Sequence, residues 1–194
     1  MIKNVIFSML LFFSMNSLSA QTFELPKFQI SLSYFGEMMT HGGIRLGITT
    51  PISQTIKDKG EEAFINKGWL VGGYVTYYKH PRNHKGLMFT GAIGRQRIGK
   101  NGFQTSLNIE AGYMLSILDG EIYEWNSSEI VEADSRGSSH VVFGLNGGLG
   151  WNFGKKTDLP LSFMIQPHFY FQAPYNTIIV PRVALETKLT YKLK

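Results

Sequence analysis

The sequence predicts an all-β protein, an eight-stranded antiparallel up-and-down transmembrane β-barrel. Three observations predict it: eight segments that alternate apolar and polar side chains, turn-forming residues between these segments, and an export signal ahead of them. The predicted strands are Phe28–Met39, Gly43–Ile52, Trp69–His80, Leu87–Ile98, Phe103–Leu118, Val141–Gly154, Leu161–Ala173 and Ile178–Leu193.

The clearest alternation lies in the fifth segment. Its apolar face carries Phe103, Leu107, Ile109, Ala111, Tyr113, Leu115 and Ile117. Its other face carries Gln104, Ser106, Asn108, Glu110, Gly112 and Ser116. A strand from Phe103 to Ile117 spans about 45–50 Å, far more than the usual globular strand. Strands of this length, in even number, are typical of barrels that cross an outer membrane.

Turn chemistry separates the strands. Thr40–Gly43, Pro81–Gly86 and Gly99–Gly102 are rich in residues that accept positive φ or fix a turn. Asn101-Gly102 stands between two alternating segments, which is a strong hairpin signal. The fourth and fifth strands are therefore predicted to form a hairpin closed by this turn.

Two connections are longer than a turn. Because an even strand count puts both termini on the periplasmic side, the acidic and aromatic connection Asp119–His140 faces outward, where the long loops of such barrels lie. The charged connection Ser53–Gly68 is long on the periplasmic side. We expect this hairpin to extend beyond the bilayer; the alternative is a miscounted strand.

The N-terminus predicts export. Residues 1–20 have a basic start at Lys3, an apolar stretch over Val5–Met15 and small residues before Gln21, which is the pattern of a cleaved signal peptide. Residues 21–194 then form a single barrel domain with 18 basic and 14 acidic residues, a net charge of +4. No cysteine is present, so disulfides and thiolate metal sites are excluded.

The basic residues do not indicate nucleic-acid binding. They are scattered through turns and loops and form no basic stripe, so we expect no nucleic-acid partner. Lys and Arg near a membrane boundary are expected to meet outer-membrane lipid phosphates instead.

Alternation alone does not say which face looks outward, since an exported lipocalin-type barrel is apolar inside. The sixth strand decides this point. Its apolar face carries Val141, Phe143, Leu145, Leu149, Trp151 and Phe153, and its other face carries Gly144, Asn146, Gly148, Gly150 and Asn152. Glycine and asparagine fit a narrow polar lumen and not a cavity for an apolar ligand. The apolar face is therefore predicted to face lipid.

The final strand, Pro181–Leu193, also alternates. With the architecture above, it makes the chain resemble small eight-stranded outer-membrane β-barrel proteins of the OmpA and OmpX type, most of all Bacteroidetes members without an assigned function. The resemblance implies that this strand is the insertion signal read by the barrel-assembly machinery. Tyr191 and Leu193 match that signal, whereas Lys194 stands where the family usually ends in an aromatic residue.

Four charged residues are predicted to point into the lumen: Arg45, Glu110, Arg182 and Glu186, with Lys188 one step on. Eight strands leave room only for side chains, so these groups should form a lumen ion-pair network. The alternative is a gate whose pairs exchange partners to admit water or small ions.

No catalytic, cofactor or metal site is predicted. No serine stands two residues from a histidine predicted on the barrel wall, and Ser139-His140 is placed at the end of a loop. His168 is interpreted as a hydrogen-bonded lumen residue. The remaining histidines fall near external turns, at spacings that specify no metal: His41, His80, His84 and His140. A lipid-modifying enzyme, of the lipid A deacylase or acyltransferase type, remains the alternative, as does a narrow channel.

The best binding candidates are Tyr123, Trp125 and Ile130 in the Asp119–His140 loop, because exposed aromatics anchor interfaces. They predict either contact with a partner or a cap folded onto the barrel mouth. A protein partner, if one binds, would contact this loop or the 53–68 hairpin. The sequence thus predicts a non-enzymatic protein of the outer membrane of a diderm bacterium, with a closed lumen, that acts as a structural, accessory or surface-binding component.

Overall fold

The computed structural model describes residues 28–38, 41–58, 64–81, 84–120, 123–126, 129–132, 137–155, 157, 159–175 and 178–193. The predicted signal peptide lies outside these residues. The described strands are β1 (Phe28–Glu37), β2 (His41–Asp58), β3 (Phe64–Lys79), β4 (His84–Ile98), β5 (Phe103–Leu118), β6 (Tyr123–Asn126), β7 (Glu129–Glu132), β8 (Gly137–Asn152), β9 (Leu161–Tyr175) and β10 (Ile178–Leu193). A 3₁₀ turn at Phe153–Lys155 follows β8.

Eight of these strands form a closed antiparallel barrel in the order β1-β10-β9-β8-β5-β4-β3-β2. The predicted fold class is therefore confirmed. The barrel closes through β1 and β10, which are paired from Phe28↔Leu193 to Glu37↔Ala184. The described residues contain no helix that is long and apolar enough to cross a membrane.

Several strands begin or end away from their predicted boundaries, and two of these differences are large. β8 begins at Gly137, four residues before the predicted start at Val141, so His140 lies in a strand and not in a loop. The connection Ser53–Gly68 is largely strand, because β2 and β3 stay paired as far as Asp58↔Phe64. This hairpin runs past the last β1–β2 pair, Gln29↔Thr49. The alternative of a miscounted strand is thus wrong.

The connections alternate between the two ends of the barrel. We call the end that holds Phe28 and Leu193 the terminal rim, and the opposite end the loop rim. At the terminal rim, β4 and β5 are joined by the predicted turn, in which Gly102 has a φ of 82° and its amide donates to the Gly99 carbonyl at 3.0 Å. Glycine suits this position because L side chains rarely adopt such a φ.

The outer surface is an apolar band, and on β3 and β4 it is bordered by cations at both ends. The outward positions of β4 are, in order, Lys85, Leu87, Phe89, Gly91, Ile93, Arg95 and Arg97. From Lys85 to Arg95 the strand rises about 33 Å, which is about 25 Å along the axis at the usual tilt. The outward positions of described β1, β5, β8, β9 and β10 hold no Asp, Glu, Lys or Arg.

The lumen is filled by side chains, and lumen glycines make room for tyrosine rings. A Cβ at Gly47 would lie 2.4 Å from Cδ1 of Tyr74, and one at Gly86 would lie 2.3 Å from Cε1 of Tyr78. Tyr74 and Tyr78 are both buried. These pairs explain why small residues alternate along lumen-facing positions: the aromatic ring of one strand occupies the space left by its neighbour.

Candidate functional site in the lumen and at the loop rim

The centre of the lumen holds an ion cluster built around Arg45, which is 1% exposed. Its Nη2 donates to both carboxylate oxygens of Glu110, at 2.7 and 2.8 Å. Its guanidinium lies 4.2 Å from the ring centroid of Tyr74. Asn146 Nδ2 donates to the same Glu110 carboxylate at 2.6 Å, and Asn146 Oδ1 accepts from Asn108 Nδ2 at 2.7 Å. β2, β3, β5 and β8 are thereby joined across the barrel interior.

Glu186 joins a second side of this cluster. It is 1% exposed, and its Oε2 lies 3.9 Å from Arg45 Nε. The Ser33 hydroxyl donates to its Oε1, and His168 Nε2 donates to its Oε2 at 2.7 Å. Buried carboxylates are stable when charge and hydrogen bonds satisfy them together, which these partners do.

The structure thus places all four predicted lumen charges inside the barrel but divides them between two clusters. Arg45, Glu110 and Glu186 belong to the central one. Arg182 lies nearer the loop rim, where its Nη1 donates to Glu37 at 3.0 Å. Glu37 was not a predicted site residue, although the alternation along β1 places it on the same inner face as Phe35.

An apolar cluster separates these two groups of charges. It consists of Phe35, Tyr78, Met88, Met114, Val142, Tyr170 and Ala184. On one side Phe35 meets the His168 ring edge-on, with centroids 5.5 Å apart. On the other side the Tyr78 and His84 rings also pack edge-on, with centroids 5.8 Å apart. A polar lumen was predicted, and this cluster was missed because its members are scattered singly among polar neighbours in sequence.

Three histidines gather at the loop rim. His41 and His80 have ring centroids 3.8 Å apart, and His80 and His84 are stacked at 5.3 Å. His41 Nδ1 donates to Glu37. Burial, and then the neighbouring His80, lower the pKa of His84. Within the described residues, no group of three His, Asp or Glu side chains is placed to hold a metal ion.

The outer edge of the same rim carries an ion pair. Lys85 Nζ lies 2.9 Å from Asp119 Oδ1. The hydrogen bond raises the pKa of Lys85 and lowers the pKa of Asp119. Both side chains are partly exposed to solvent, so the pair positions the start of the β5–β6 connection without contributing much to stability.

A serine–histidine contact lies on β8 beside this rim. Ser138 Oγ is 2.9 Å from His140 Nε2, and His140 Nδ1 donates to the Pro174 carbonyl at 2.5 Å. That carbonyl can only accept, so Nδ1 carries the proton and Nε2 accepts from the Ser138 hydroxyl. The statement that no serine stands two residues from a wall histidine is therefore wrong. It failed because His140 was assigned to a loop.

The terminal half of the lumen contains a small polar cavity of about 30 Å³, enough for one or two water molecules. Gln104, Gln166 and Lys188 are among its lining residues. The side-chain oxygens of Gln104 and Gln166 are buried there without a protein partner, as expected of groups that bind internal water.

The predicted surface-loop residues lie on a two-stranded hairpin, β6–β7, that rises from the loop rim. Tyr123 is 58% exposed and Ile130 is 68% exposed, so these two do not pack as a cap on the barrel mouth. The backbone of Trp125 is paired with that of Ile130. The described part of the Asp119–His140 segment therefore presents apolar side chains to the surroundings.

No protein-family model and no curated protein matches the chain. The solved structure of neisserial surface protein A (NspA) is similar over 86% of this chain and 94% of that one, with 10% identity and a TM-score of 0.46. The outer membrane enzyme PagL is similar over 85% and 99%, with 14% identity and a TM-score of 0.43.

A third similar structure is the N-terminal β-barrel domain of Pseudomonas aeruginosa OprF, over 86% of this chain and 98% of that one, with 11% identity and a TM-score of 0.41. All three TM-scores lie below 0.5, so these similarities support no conclusion about this chain, and its eight-stranded closed barrel is established by its own strand topology. At these identities and TM-scores they transfer no activity, ligand or partner to this chain. The narrower resemblance to Bacteroidetes proteins stays a prediction.

Proposed function

We propose that the protein is a non-enzymatic outer-membrane barrel with a closed lumen that displays the β6–β7 hairpin to a protein partner. The apolar outer band supports the membrane location, because about 25 Å of uncharged surface between Lys85 and Arg95 on β4 matches the thickness that such barrels present to lipid. A surface of this kind would be unstable in water.

The filled lumen supports a scaffold and not a channel. The central ion cluster and the apolar cluster occupy successive levels, and the cavity below them holds only about 30 Å³. A water path would have to break the Arg45–Glu110 bond and part the buried side chains of Phe35 and Met114. A closed barrel of this kind serves as a scaffold for its surface hairpin.

The observation that carries the binding role is the exposure of Tyr123 and Ile130. Large apolar side chains that are exposed together are typical of protein interaction surfaces. The hairpin also carries acidic residues, among them exposed Glu129. A partner with an apolar surface bordered by basic residues fits this hairpin.

The test is purification of the tagged protein from native outer membranes, followed by mass spectrometry of proteins recovered in stoichiometric amount. Tyr123→Ser with Ile130→Ser should abolish recovery of the partner. Ile178→Ser with Ile179→Ser is the matched control, since these residues are equally exposed beside the β9–β10 connection. No partner, or equal loss in both variants, would refute the binding role.

A second candidate function, an esterase, is favoured by one contact, Ser138 Oγ to His140 Nε2. In this chemistry Ser138 Oγ attacks an ester carbonyl while His140 Nε2 takes its proton and returns it to the departing alcohol. Water then attacks the acyl-serine with the same histidine as base, which releases the acid and restores the hydroxyl. The Pro174 carbonyl holds the histidine in the required tautomer.

Labelling of the folded protein by a fluorophosphonate tests the esterase. If it is correct, the wild type and Ser139→Ala react, whereas Ser138→Ala and His140→Ala do not. Ser139 is the control because it is exposed and its side chain points to the other face of β8. Absence of labelling in the wild type would leave the contact as a structural hydrogen bond.

A further inference from the structure

Three cations cluster on the outer face of the barrel at the terminal rim. Lys67 on β3 is directly opposite Arg97 on β4, and Trp69 is directly opposite Arg95. All four side chains occupy outward positions; Trp69, Arg95 and Arg97 are exposed, and Lys67 is half-buried. We call Lys67, Arg95 and Arg97 the terminal basic patch.

This arrangement is unfavourable unless an anion is present. Like charges directly opposite each other on neighbouring strands repel. Arg95 and Arg97 also lie on the same face of one strand, two residues apart, which adds a third cation to the pair. A sheet that places three cations together therefore gains stability from any anion that it can hold between them.

The loop rim provides an internal comparison. There Lys79 and Lys85 are also directly opposite each other on β3 and β4. Their repulsion is relieved within the chain, because Asp119 bonds to Lys85 at 2.9 Å. Among the residues that the structure describes, no carboxylate bonds to Lys67, Arg95 or Arg97. Within the described residues, the terminal basic patch therefore has no bonded counter-charge.

The position of the patch indicates the source of that charge. Arg95 is the first outward cation below the apolar band, and its two cross-strand neighbours are Trp69 and Leu107. Tryptophan is enriched where hydrocarbon meets the headgroups, since its ring is apolar and its N–H is polar. The guanidinium groups therefore lie at the depth of the lipid phosphates.

We propose that the terminal basic patch is a binding site for an anionic phospholipid of the leaflet at the terminal rim, with a preference for a headgroup that carries two phosphodiesters. This inference rests on the membrane location proposed above. Each planar guanidinium can bind a phosphate through two parallel hydrogen bonds, and the Lys67 ammonium adds a third point of contact. Two phosphates balance the three positive charges of the patch more fully than one phosphate does, and this is the basis of the preference.

The test is native mass spectrometry of the purified full chain in neutral detergent, titrated with diphosphatidylglycerol, phosphatidylglycerol or phosphatidylcholine. The wild type is expected to bind diphosphatidylglycerol about tenfold more tightly than phosphatidylcholine. Arg95→Gln with Arg97→Gln should remove most of this difference. Lys79→Gln with Lys85→Gln removes the same amount of charge at the loop rim. In this control variant the ratio of the two lipid affinities should stay within about twofold of the wild-type ratio.

Two results would overturn the site. Equal weakening in both double variants would mean that net charge alone attracts the lipid, and equal affinity for all three lipids in the wild type would mean that no site exists. Insertion into phosphatidylcholine vesicles, followed by heat-dependent migration on gels, separates this inference from the proposed membrane location. Failure to insert would refute both the membrane location and the lipid site, whereas insertion without a lipid preference would refute only the lipid site.

Discussion

Replacement of Arg45 by alanine is the most demanding perturbation of the lumen, because it removes the centre of the ion cluster and leaves both carboxylates in place. Glu110 loses two charge-assisted hydrogen bonds, at 2.7 and 2.8 Å, and Glu186 loses an ion pair at 3.9 Å. Glu110 retains Asn146, and Glu186 retains Ser33 and His168. Removal of one partner from a buried ion pair typically costs about 3–5 kcal/mol, and we expect a loss near 3 kcal/mol since these contacts remain.

The assay is urea unfolding in detergent micelles, followed by tryptophan fluorescence and by the migration of folded and heated protein on gels. Lys100→Ala is the matched control, because Lys100 is an exposed cation in the β4–β5 turn and its loss should change stability by less than about 0.5 kcal/mol. Arg45→Ala should still be exported, since export is expected to depend on the predicted signal peptide and not on the lumen. Equal unfolding midpoints for the two variants would refute a stabilising role for the cluster.

A double variant, Arg45→Met with Glu110→Gln, should recover part of the stability that Arg45→Met alone loses. The coupling energy is the difference between the double variant's loss of unfolding free energy and the sum of the two single losses, and a value below about 0.5 kcal/mol in urea unfolding would contradict direct pairing. Gly47→Ala should destabilise the barrel by about 1–3 kcal/mol because its Cβ would lie 2.4 Å from the Tyr74 ring, whereas Gly73→Ala, whose nearest neighbour would be 3.9 Å away, should have little effect in the same assay. Burial lowers the pKa of His84 in the folded protein, so the unfolded chain binds more protons below about pH 6.5 and stability should fall on acidification through that range. In His84→Gln the urea midpoint should therefore change less between pH 7.5 and pH 5.5 than it does in the wild type.

The face to which each side chain points could be predicted from the sequence. A period of two fixes the side of the sheet once the apolar face is known to lie outward, and Arg45, Glu110, Arg182 and Glu186 all occupy the inner side. The turn at Asn101-Gly102 could be predicted for an equally local reason. Its conformation depends on a positive φ that glycine accepts.

Which lumen residues meet could not be predicted. Arg45 and Glu110 are 65 residues apart on strands that are not neighbours, and their contact depends on the tilt and stagger of the closed barrel. Alternation contains no information about that stagger. For this reason the division of the predicted network, with Arg182 bonded to Glu37, appears only in the structure.

The Ser138–His140 contact could not be predicted because the sixth strand was predicted to begin at Val141. The residues before Val141 are Gly, Ser, Ser and His, which have little intrinsic preference for a strand. In the structure their backbone is paired with β5 as far as Ile117↔Gly137, so pairing with a neighbour extends β8 where local preference would end it. The Ser138–His140 contact follows from that extension.

The absence of cysteine makes one measurement decisive for the central claim that the apolar face meets lipid around a closed lumen. Single cysteines at Ile109, Asn108 and Ile130 sample the outer band, the lumen and the surface hairpin, and each is treated in intact outer membranes with a charged, water-soluble maleimide. Ile130→Cys should react fully, and Ile109→Cys and Asn108→Cys should react only after the protein is unfolded. Rapid reaction of folded Ile109→Cys would contradict the lipid-facing band, and rapid reaction of folded Asn108→Cys would contradict the closed lumen.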